Sequence, residues 1–365
     1  MTTEFSFADD LGPEKVIEIY DVATGLKAIL VVDNTAAGPA IGGVRMAPDV
    51  SAEECFRLGR AMTLKNAMAG LAHGGGKSVI AADPAMPAAD RSVLIKAFAR
   101  AIADVRDYIP GPDMGTDETA MAEVQHLIGR AVGLPREVGG IPLDEIGATG
   151  YGLAVALEAA APHLSLGTDA PRVVVQGFGS VGQHAARFLA ERGAVLVGVS
   201  DSHGARACEA GFDLKRLLAH KAAGRSVAAF DQGEVIEADA LLAVPCEIWI
   251  PAARPDVIRE DNAGTMQTKV VIQGANIPAT DAAERILAER GVLVIPDFVA
   301  NAGGVICAAV EYHGGNQTMA MDTIAEKIRT NVAEVLARAV DEKVLPRAAA
   351  LAIARERVQR AMSFR

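Results

Sequence analysis

The stretch VVVQGFGSVGQHAARFLAERG, residues 173–193, decides the fold. An apolar run ends at Gln176, glycines follow as GxGxxG at Gly177, Gly179 and Gly182, and an alanine-rich helical stretch comes next. The pattern alone is weak, but this setting gives each glycine a distinct job. Gly177 permits a tight turn, Gly179 lets the backbone approach a pyrophosphate, and Gly182 lets the helix sit close to the strand. The helix N-terminus beginning at Ser180 and Val181 then faces the anion. A second apolar run, residues 194–200, leads to Asp201, 24 positions after Gly177. A carboxylate there accepts hydrogen bonds from the adenosine ribose and repels the extra phosphate of NADP, so NAD is the expected cofactor. His203 and Arg206 lie close enough in sequence to soften that preference.

Working outward, apolar runs at 247–251, 269–273 and 292–296 alternate with helix-like segments. Short apolar strands alternating with helices imply a mostly parallel sheet covered on both faces. The first 110 residues mix strands and helices. Residues 16–32 read as two strands around the Thr24-Gly25 turn, and Ser51 with Glu54 forms a capping box that opens a helix to about Ala69. The tail from about Asp322 reads as two amphipathic helices broken near Pro346. The domain boundary is expected near residues 145–150, where EIGATGYG supplies a glycine-rich joint. The expected layout is α/β with two domains over 1–147 and 148–340, and a C-terminal helix over 341–365 that packs back on the first domain.

The chain has 365 residues, half of them apolar and 4% aromatic, with a net charge of −11. That charge argues against a general nucleic-acid or membrane-surface binder, because both partners are anionic. No apolar run is long enough to span a bilayer, and MTTEFSFADD lacks the basic and apolar regions of a signal peptide. Cys55, Cys208, Cys246 and Cys307 are far apart without a CxxC pair, as expected of reduced thiols in the cytoplasm. Glu123 and His126 make one ExxH, too few ligands for a metal centre, and no metal is expected.

LAHGGGKSVI, residues 71–80, looks like a phosphate loop but fails on spacing. The motif needs glycine at position 71, where Leu71 stands, and it needs a strand before the loop rather than a helix. Lys77 reads instead as lying in a glycine-rich turn before a short buried strand, residues 78–82, with the glycines making room for a small substrate. On the preceding helix, Cys55, Leu58, Met62, Lys65 and Ala69 fall at steps of three and four, so Lys65 is expected on a covered, mostly apolar face. A lysine there is expensive unless it is paired or binds something. Asp113 lies in another Gly/Pro-shaped loop, GPDMG. With a nucleotide fold, the three suggest a carboxylate clamp, a tuned amine and a proton-transfer acid.

GLKAILVVDNTAAGPAIGGVRM, MTLKNAMAGLAHGGGKSVI, GPDMGT, ATGYG, VVVQGFGSVG, QGANIPAT and PDFVANAGGVI together resemble the amino-acid dehydrogenases acting on glutamate, leucine, phenylalanine or valine. The likeness covers nearly the whole chain. It implies an N-terminal substrate and oligomerisation domain, a Rossmann-type domain, a homo-oligomer, and NAD-linked deamination of an L-amino acid to a 2-oxo acid and ammonia. By matched position Lys65 would bind the substrate α-carboxylate, Lys77 would activate water, and Asp113 would carry protons. Burial and a second cation, Lys65, would favour the neutral amine such a base needs. Gly42, Ile41, Met62, Gly111, Val305 and Ala308 would surround the substrate. Thr149, Ala275, Asn276 and Asn301 would join Gly177, Gly179, Ser180, Val181, Gly182 and Asp201 around the cofactor.

The resemblance also speaks to the side chain accepted. Glutamate enzymes carry a lysine before the GG of GGxR and a serine three residues after the valine of NAGGV. Ile41 and Ala308 stand there, so a second carboxylate would be buried unpaired and an apolar amino acid is expected; the alternatives are a glutamate dehydrogenase with a rearranged pocket and a catalytically silent nucleotide-binding regulator, the latter disfavoured by the presence of Lys65, Lys77 and Asp113. Gly111 and Ala308 are small, which would widen the pocket for a bulky chain unless loops refill the space. His73 departs from the family's usual apolar residue, as a packing residue or a perturber of Lys77.

Overall fold

The computed structural model describes residues 6–167 and 170–365, and the chain forms two compact units. Unit 1 comprises residues up to Leu143, Val305–Thr323 and Leu351–Arg365, and unit 2 comprises Asp144–Gly304 and Ile324–Ala350. The chain therefore divides at 143/144 rather than 147/148. Residues 305–323, assigned from the sequence to the nucleotide domain, group with unit 1.

Unit 1 begins with β1 (Lys15–Asp21), β2 (Leu26–Asn34), β3 (Ala40–Ala47), α1 (Ala52–Met68), β4 (Gly74–Ala81), α2 (Ala88–Ala101), β5 (Tyr108–Pro112) and α3 (Glu118–Ile128). The sheet order is β1-β2-β4-β3-β5. β1 and β2 form the expected hairpin, β2 is antiparallel to β4, and β3 runs parallel to both β4 and β5. Strand alternation sends Leu30, Val32, Val44, Met46 and Ile80 into a core with Phe98 and Ile95 of α2 and Met121 of α3. It sends Val31 and Val79 to the opposite face, against Cys55 of α1. Ser51 caps α1 by accepting from the Glu54 N–H at 3.1 Å.

Two expectations are corrected here. GGGK is not a turn: β4 starts at Gly74 and is buried through Ile80. A Cβ at Gly74 would lie 1.8 Å from the Asn34 carbonyl oxygen, and one at Gly75 would lie 2.0 Å from Thr63 N. These glycines let β2 and α1 close on the strand; their missing side chains are not spare room. The buried stripe of α1 is Cys55, Gly59, Thr63, Asn66 and Ala67, so Leu58, Met62 and Lys65 occupy a half-buried flank and not the covered face.

In unit 2, α4 (Leu143–Ile146) crosses the division between the units, and α5 (Ala148–Ala160), β6 (Arg172–Gln176), α6 (Ser180–Ala190), β7 (Val195–Asp201), β8 (Gly204–Ala207), α7 (Leu214–Ala222), β9 (Glu234–Ile236), β10 (Ile248–Pro251), β11 (Val270–Ile272), α8 (Asp281–Glu289), β12 (Leu293–Ile295) and α9 (Asp297–Ala300) follow. The sheet order is β12-β11-β10-β6-β7-β8-β9, parallel from β12 to β7. β8 and β9 add an antiparallel edge that was not expected from the sequence. Three helices complete the chain: α10 (Gly303–Tyr312), α11 (Gln317–Glu342) and α12 (Pro346–Met362). The end of α12 belongs to unit 1, where Arg355 meets Asp10 at 2.8 Å and Arg357 donates to the Met68 carbonyl at 2.7 Å. Among the described residues no helix is long and apolar enough to cross a membrane.

Candidate functional site

In unit 1 the face of the sheet beneath α1 carries a row of unusual composition. Parallel register places Ile41 beside Gly75 and Ile109, and Gly43 beside Gly111. Residues two apart on a strand share a face, so Lys77, Gly43 and Gly111 form the next row along. A Cβ at Gly43 would lie 2.7 Å from Asp113 Cβ and 3.2 Å from Lys77 Nζ. Glycine is thus required there for Lys77 and Asp113 to meet, and they do meet in a direct ion pair. Lys77 is 6% exposed. Burial pushes the Asp113 carboxyl up, but the Lys77 ammonium and then Arg45 outweigh it and hold Asp113 below the usual carboxylate range. Arg45 Nε lies 3.4 Å from Asp113 and Arg45 Nη1 2.6 Å from Glu54.

The Asp113 loop is fixed at both ends. Thr116 Oγ1 accepts from the Asp113 N–H at 3.0 Å and donates to the Val44 carbonyl at 2.7 Å. Gly115 turns at φ 83°, where a Cβ would collide with the Met46 carbonyl oxygen. Gly43 and Arg45 carry no signal of their own in the sequence; their period-two spacing from Ile41 puts them on the Lys77 face only because β3 is a strand.

Met62 and Lys65 are half-buried and one turn apart on α1, with Lys65 in the last turn. Val305 and Ala308 stand one turn apart near the start of α10, Val305 half-buried and Ala308 buried. Gly42 lies on the opposite face from Lys77, where a Cβ would overlap the Gly76 carbonyl oxygen. Glycine is therefore required at position 42 for β3 to pack against β4. Gly111 opens no slot: a Cβ there would lie 3.0 Å from Val132 Cγ2, so a loop residue refills the space. His73 is buried, with Nδ1 3.0 Å from the Pro39 carbonyl oxygen and Nε2 3.0 Å from His313 Nε2. Burial lowers its pKa, helped by His313 and opposed by the Pro39 bond. Both ring nitrogens are thus committed, which makes His73 a packing residue.

In unit 2 the GxGxxG turn fits a dinucleotide. Gly177 adopts φ 95° and a Cβ there would meet Ala253, and a Cβ at Gly182 would lie 2.1 Å from the Gly177 carbonyl oxygen. Gly179 is different: a Cβ would meet nothing within 4 Å, and as N-cap of α6 it leaves the helix without a side-chain cap. An exposed cradle of uncapped N–H groups at Gly179, Ser180 and Val181 suits an anion. Asn301, 4% exposed, donates to the Gly274 carbonyl at 3.2 Å and to Asn276 Oδ1 at 3.1 Å, leaving its own buried Oδ1 unpartnered, a polar atom suited to a carboxamide. Ala275 N–H bonds the Pro251 carbonyl, and Thr149 Oγ1 lies 3.2 Å from where a Gly304 Cβ would stand. Ile277 has φ 48°, strained for a β-branched residue, and its N–H is held by Asp297 at 2.9 Å, itself paired with Arg347.

Asp201 departs from expectation. Its side chain is 9% exposed and accepts from Lys221 Nζ at 2.7 Å, Val227 N at 2.8 Å, Ser226 Oγ at 2.8 Å and His203 N at 3.0 Å. Four donors fill the roughly four acceptor sites of a carboxylate, so Asp201 is not free to receive ribose hydroxyls as arranged here. Burial raises its pKa, but the Lys221 bond and the backbone N–H groups prevail and bring it to about 2. Arg206 points elsewhere, into the carbonyls of Ala228, Gln232 and Gly233. Among the described residues no group of three or more His, Cys, Asp or Glu gathers to hold a metal.

A parallel sheet with a glycine-rich turn and an uncapped helix N-terminus gives unit 2 the features of a dinucleotide-binding domain, and unit 1 carries a buried lysine–aspartate pair. Comparison with known proteins narrows this. Residues 139–365 match the Glutamate/Leucine/Phenylalanine/Valine dehydrogenase family model, and residues 13–128 match that family's dimerisation domain. The chain belongs to this family and is an amino-acid dehydrogenase. It is 38% identical over 355 residues to a glutamate dehydrogenase of Aeropyrum pernix, covering 91% of this chain and 85% of that one. It is 35% identical over 388 residues to an NADP(+)-dependent glutamate dehydrogenase of Pyrobaculum calidifontis, covering 97% and 91%. The structure of a hetero-hexameric glutamate dehydrogenase from Thermus thermophilus in its leucine-bound form matches with TM-score 0.84 and 28% identity, over 96% of this chain and 89% of that one. These names favour glutamate over the apolar amino acid expected from the sequence, and they leave the choice between NAD and NADP open.

Proposed function

We propose that this enzyme oxidatively deaminates an L-amino acid with an apolar side chain to the 2-oxo acid and ammonia. The observation that carries the side-chain reading is the pair of apolar residues at matched recognition positions: Ile41, buried on the Lys77 face, and Ala308, also buried. A second carboxylate against them would lack a cation, at a cost of several kcal/mol. The nicotinamide would supply a hydride acceptor when bound; Gly179, Ser180 and Val181 would hold its pyrophosphate, and Asn301 and Thr149 would hold its ring.

In unit 1, Lys65 holds the substrate carboxylate. Asp113, ionised at working pH, accepts a proton from the substrate ammonium. Loss of hydride from Cα leaves an iminium ion; Lys77, having released its ammonium proton to solvent, takes a proton from water as its oxygen adds to that carbon. Lys77 then returns that proton to nitrogen and takes the proton of the new hydroxyl as the C–N bond breaks, which releases ammonia and the 2-oxo acid. NAD is the proposed cofactor, with weak discrimination against NADP because Lys221 neutralises Asp201. A cytoplasmic homo-oligomer is proposed from the dimerisation-domain match and the free cysteines.

L-Glutamate is the second reading, favoured by the relatives' names. Reduced-cofactor formation measured with leucine, phenylalanine, valine and glutamate decides: turnover of glutamate alone removes the apolar reading. Lys77→Ala is expected to lower kcat by about a thousandfold, the scale of a lost acid–base group, with cofactor binding nearly unchanged.

A further inference from the structure

We propose that Asp297 is a positioning residue: it holds the strained Ile277 backbone and so aims the Asn276–Asn301 pair at the nicotinamide ring. The inference rests on the cofactor reading of unit 2. Ile277 sits at φ 48° with Pro278 after it. A β-branched side chain disfavours that left-handed region, and a following proline presses its neighbour toward extended backbone. Ile277 is 55% exposed, so burial of its side chain does not explain the conformation. Its backbone polar groups are held instead. The N–H donates to Asp297 Oδ2 at 2.9 Å, and the carbonyl accepts from the Asp256 N–H at 3.0 Å. Such strain persists where the surroundings over-determine it, and it gathers at functional sites.

Asp297 grips the segments of both asparagines. Its side chain holds residue 277, next to Asn276, and its backbone carbonyl accepts from the Asn301 N–H at 2.7 Å. Asn301 Nδ2 closes the ring of bonds by donating to Asn276 Oδ1 at 3.1 Å. This arrangement leaves Asn301 Oδ1 buried without a hydrogen-bond partner. Asp297 is itself fixed. It is 5% exposed, its Oδ1 lies 2.9 Å from Arg347 Nη2, and its N–H donates to Gln273 Oε1 at 3.0 Å. Arg347 Nε donates to Glu284 Oε1 at 2.9 Å and Nη2 to Gln273 Oε1 at 2.6 Å, so the guanidinium ties the carboxylate to β11 and α8. Burial works against the Arg347 charge, but Asp297 and Glu284 outweigh it and raise its pKa. Every polar atom of Asp297 thus faces protein, and it acts on the ring only through residues 276 and 301.

The test measures the affinity of the full-length enzyme for NADH and for ADP-ribose, which lacks the nicotinamide, in D297A, I277P, I277G and N301A. D297A is expected to weaken NADH binding about tenfold and to leave ADP-ribose within about twofold, since contacts on the scale of one hydrogen bond are lost at the ring alone. A merely structural role would weaken both ligands together. I277P can neither donate the N–H nor take φ 48°, and it is expected to match D297A. I277G takes that φ freely and keeps the N–H, and it is expected to keep the parent ratio. A NADH-to-ADP-ribose ratio unchanged in D297A or I277P overturns the proposal. An equal loss in I277G also overturns it, by placing the effect in the side chain rather than the backbone. If D297A fails to fold, I277P decides alone, because residue 277 is exposed. N301A separates the inference from the reading beneath it. A ratio unchanged in N301A removes Asn301 from the nicotinamide and takes both down; a ratio lowered in N301A but not in D297A removes the positioning role alone.

Discussion

The two units spend glycine in opposite ways. Along β4 and β3 in unit 1 the glycines are crowded: ideal Cβ atoms at Gly42, Gly74 and Gly75 fall within about 2 Å of neighbouring backbone, and one at Gly43 falls against Asp113 and Lys77. At Gly179 in unit 2 a Cβ would meet nothing. A crowded glycine records two pieces of backbone already in contact. An open glycine in a cradle of N–H groups records space kept for something else. The same letter thus marks a finished packing contact in one place and a ligand's approach path in the other.

Substitution separates the two kinds, and the largest effect belongs to the crowded kind. Gly75→Ala forces Thr63 and α1 away from β4 and is expected to destabilise the protein by about 3 kcal/mol or more, the upper range for overpacking; a melting temperature within a degree or two of the parent would break the distinction. The next effect concerns Asp201, whose loop is pinned by charge. Its carboxyl is held at about 2 against a usual value of 3.8, so the stability it contributes is fully present above about pH 4. It is lost as pH falls toward about 2, an amount of about 2 kcal/mol. Asp201→Asn is expected to flatten that acid limb of the stability curve and to change the NAD-to-NADP preference little; a large, selective change in preference would return Asp201 to the ribose. The smallest effect is at the open glycine. Gly179→Ala is expected to leave the melting temperature unchanged and to raise KM for the cofactor by about tenfold, because the methyl stands where the pyrophosphate approaches the backbone.

Much of the fold was legible. The βαβ unit around residues 173–201, the β1–β2 hairpin, the Ser51 cap and the break at Pro346 all rest on local signals: a run of β-branched residues, a turn dipeptide, a hydroxyl three positions before an N–H, a missing donor. The GGGK strand was not legible, since glycine has poor strand propensity and a triple-glycine run reads as a turn. What makes it a strand is β2 on one side, β3 on the other and α1 above, all distant in sequence. The stripe on α1 was misread by one position for a related reason, because Gly59 and Thr63 look exposed until Gly75 allows β4 to press against them.

Lys65, Lys77 and Asp113 were singled out as charged residues in apolar or glycine-rich settings, and Lys77 and Asp113 do meet. Val132, Glu311, Arg45 and the four donors to Asp201 carried no such signal. A valine in an ordinary connection and a glutamate in an apolar helix are common, and the contacts of Val132 with Gly111 and of Glu311 with Leu134 and Ile141 arise only in the tertiary fold. The Lys221 and Ser226 contacts with Asp201 span 20 and 25 residues, and nothing in the local pattern announces them.

The sequence by itself determined the family, the parallel sheet with its glycine-rich turn and the lysine and aspartate to single out, because each depends on residue type in a short local frame. Only the tertiary structure decided which glycines are space and which are contact, and whether a carboxylate is available or already saturated. Those are properties of what stands opposite a residue, and what stands opposite is chosen by strand register and helix packing across distances that sequence spacing does not encode.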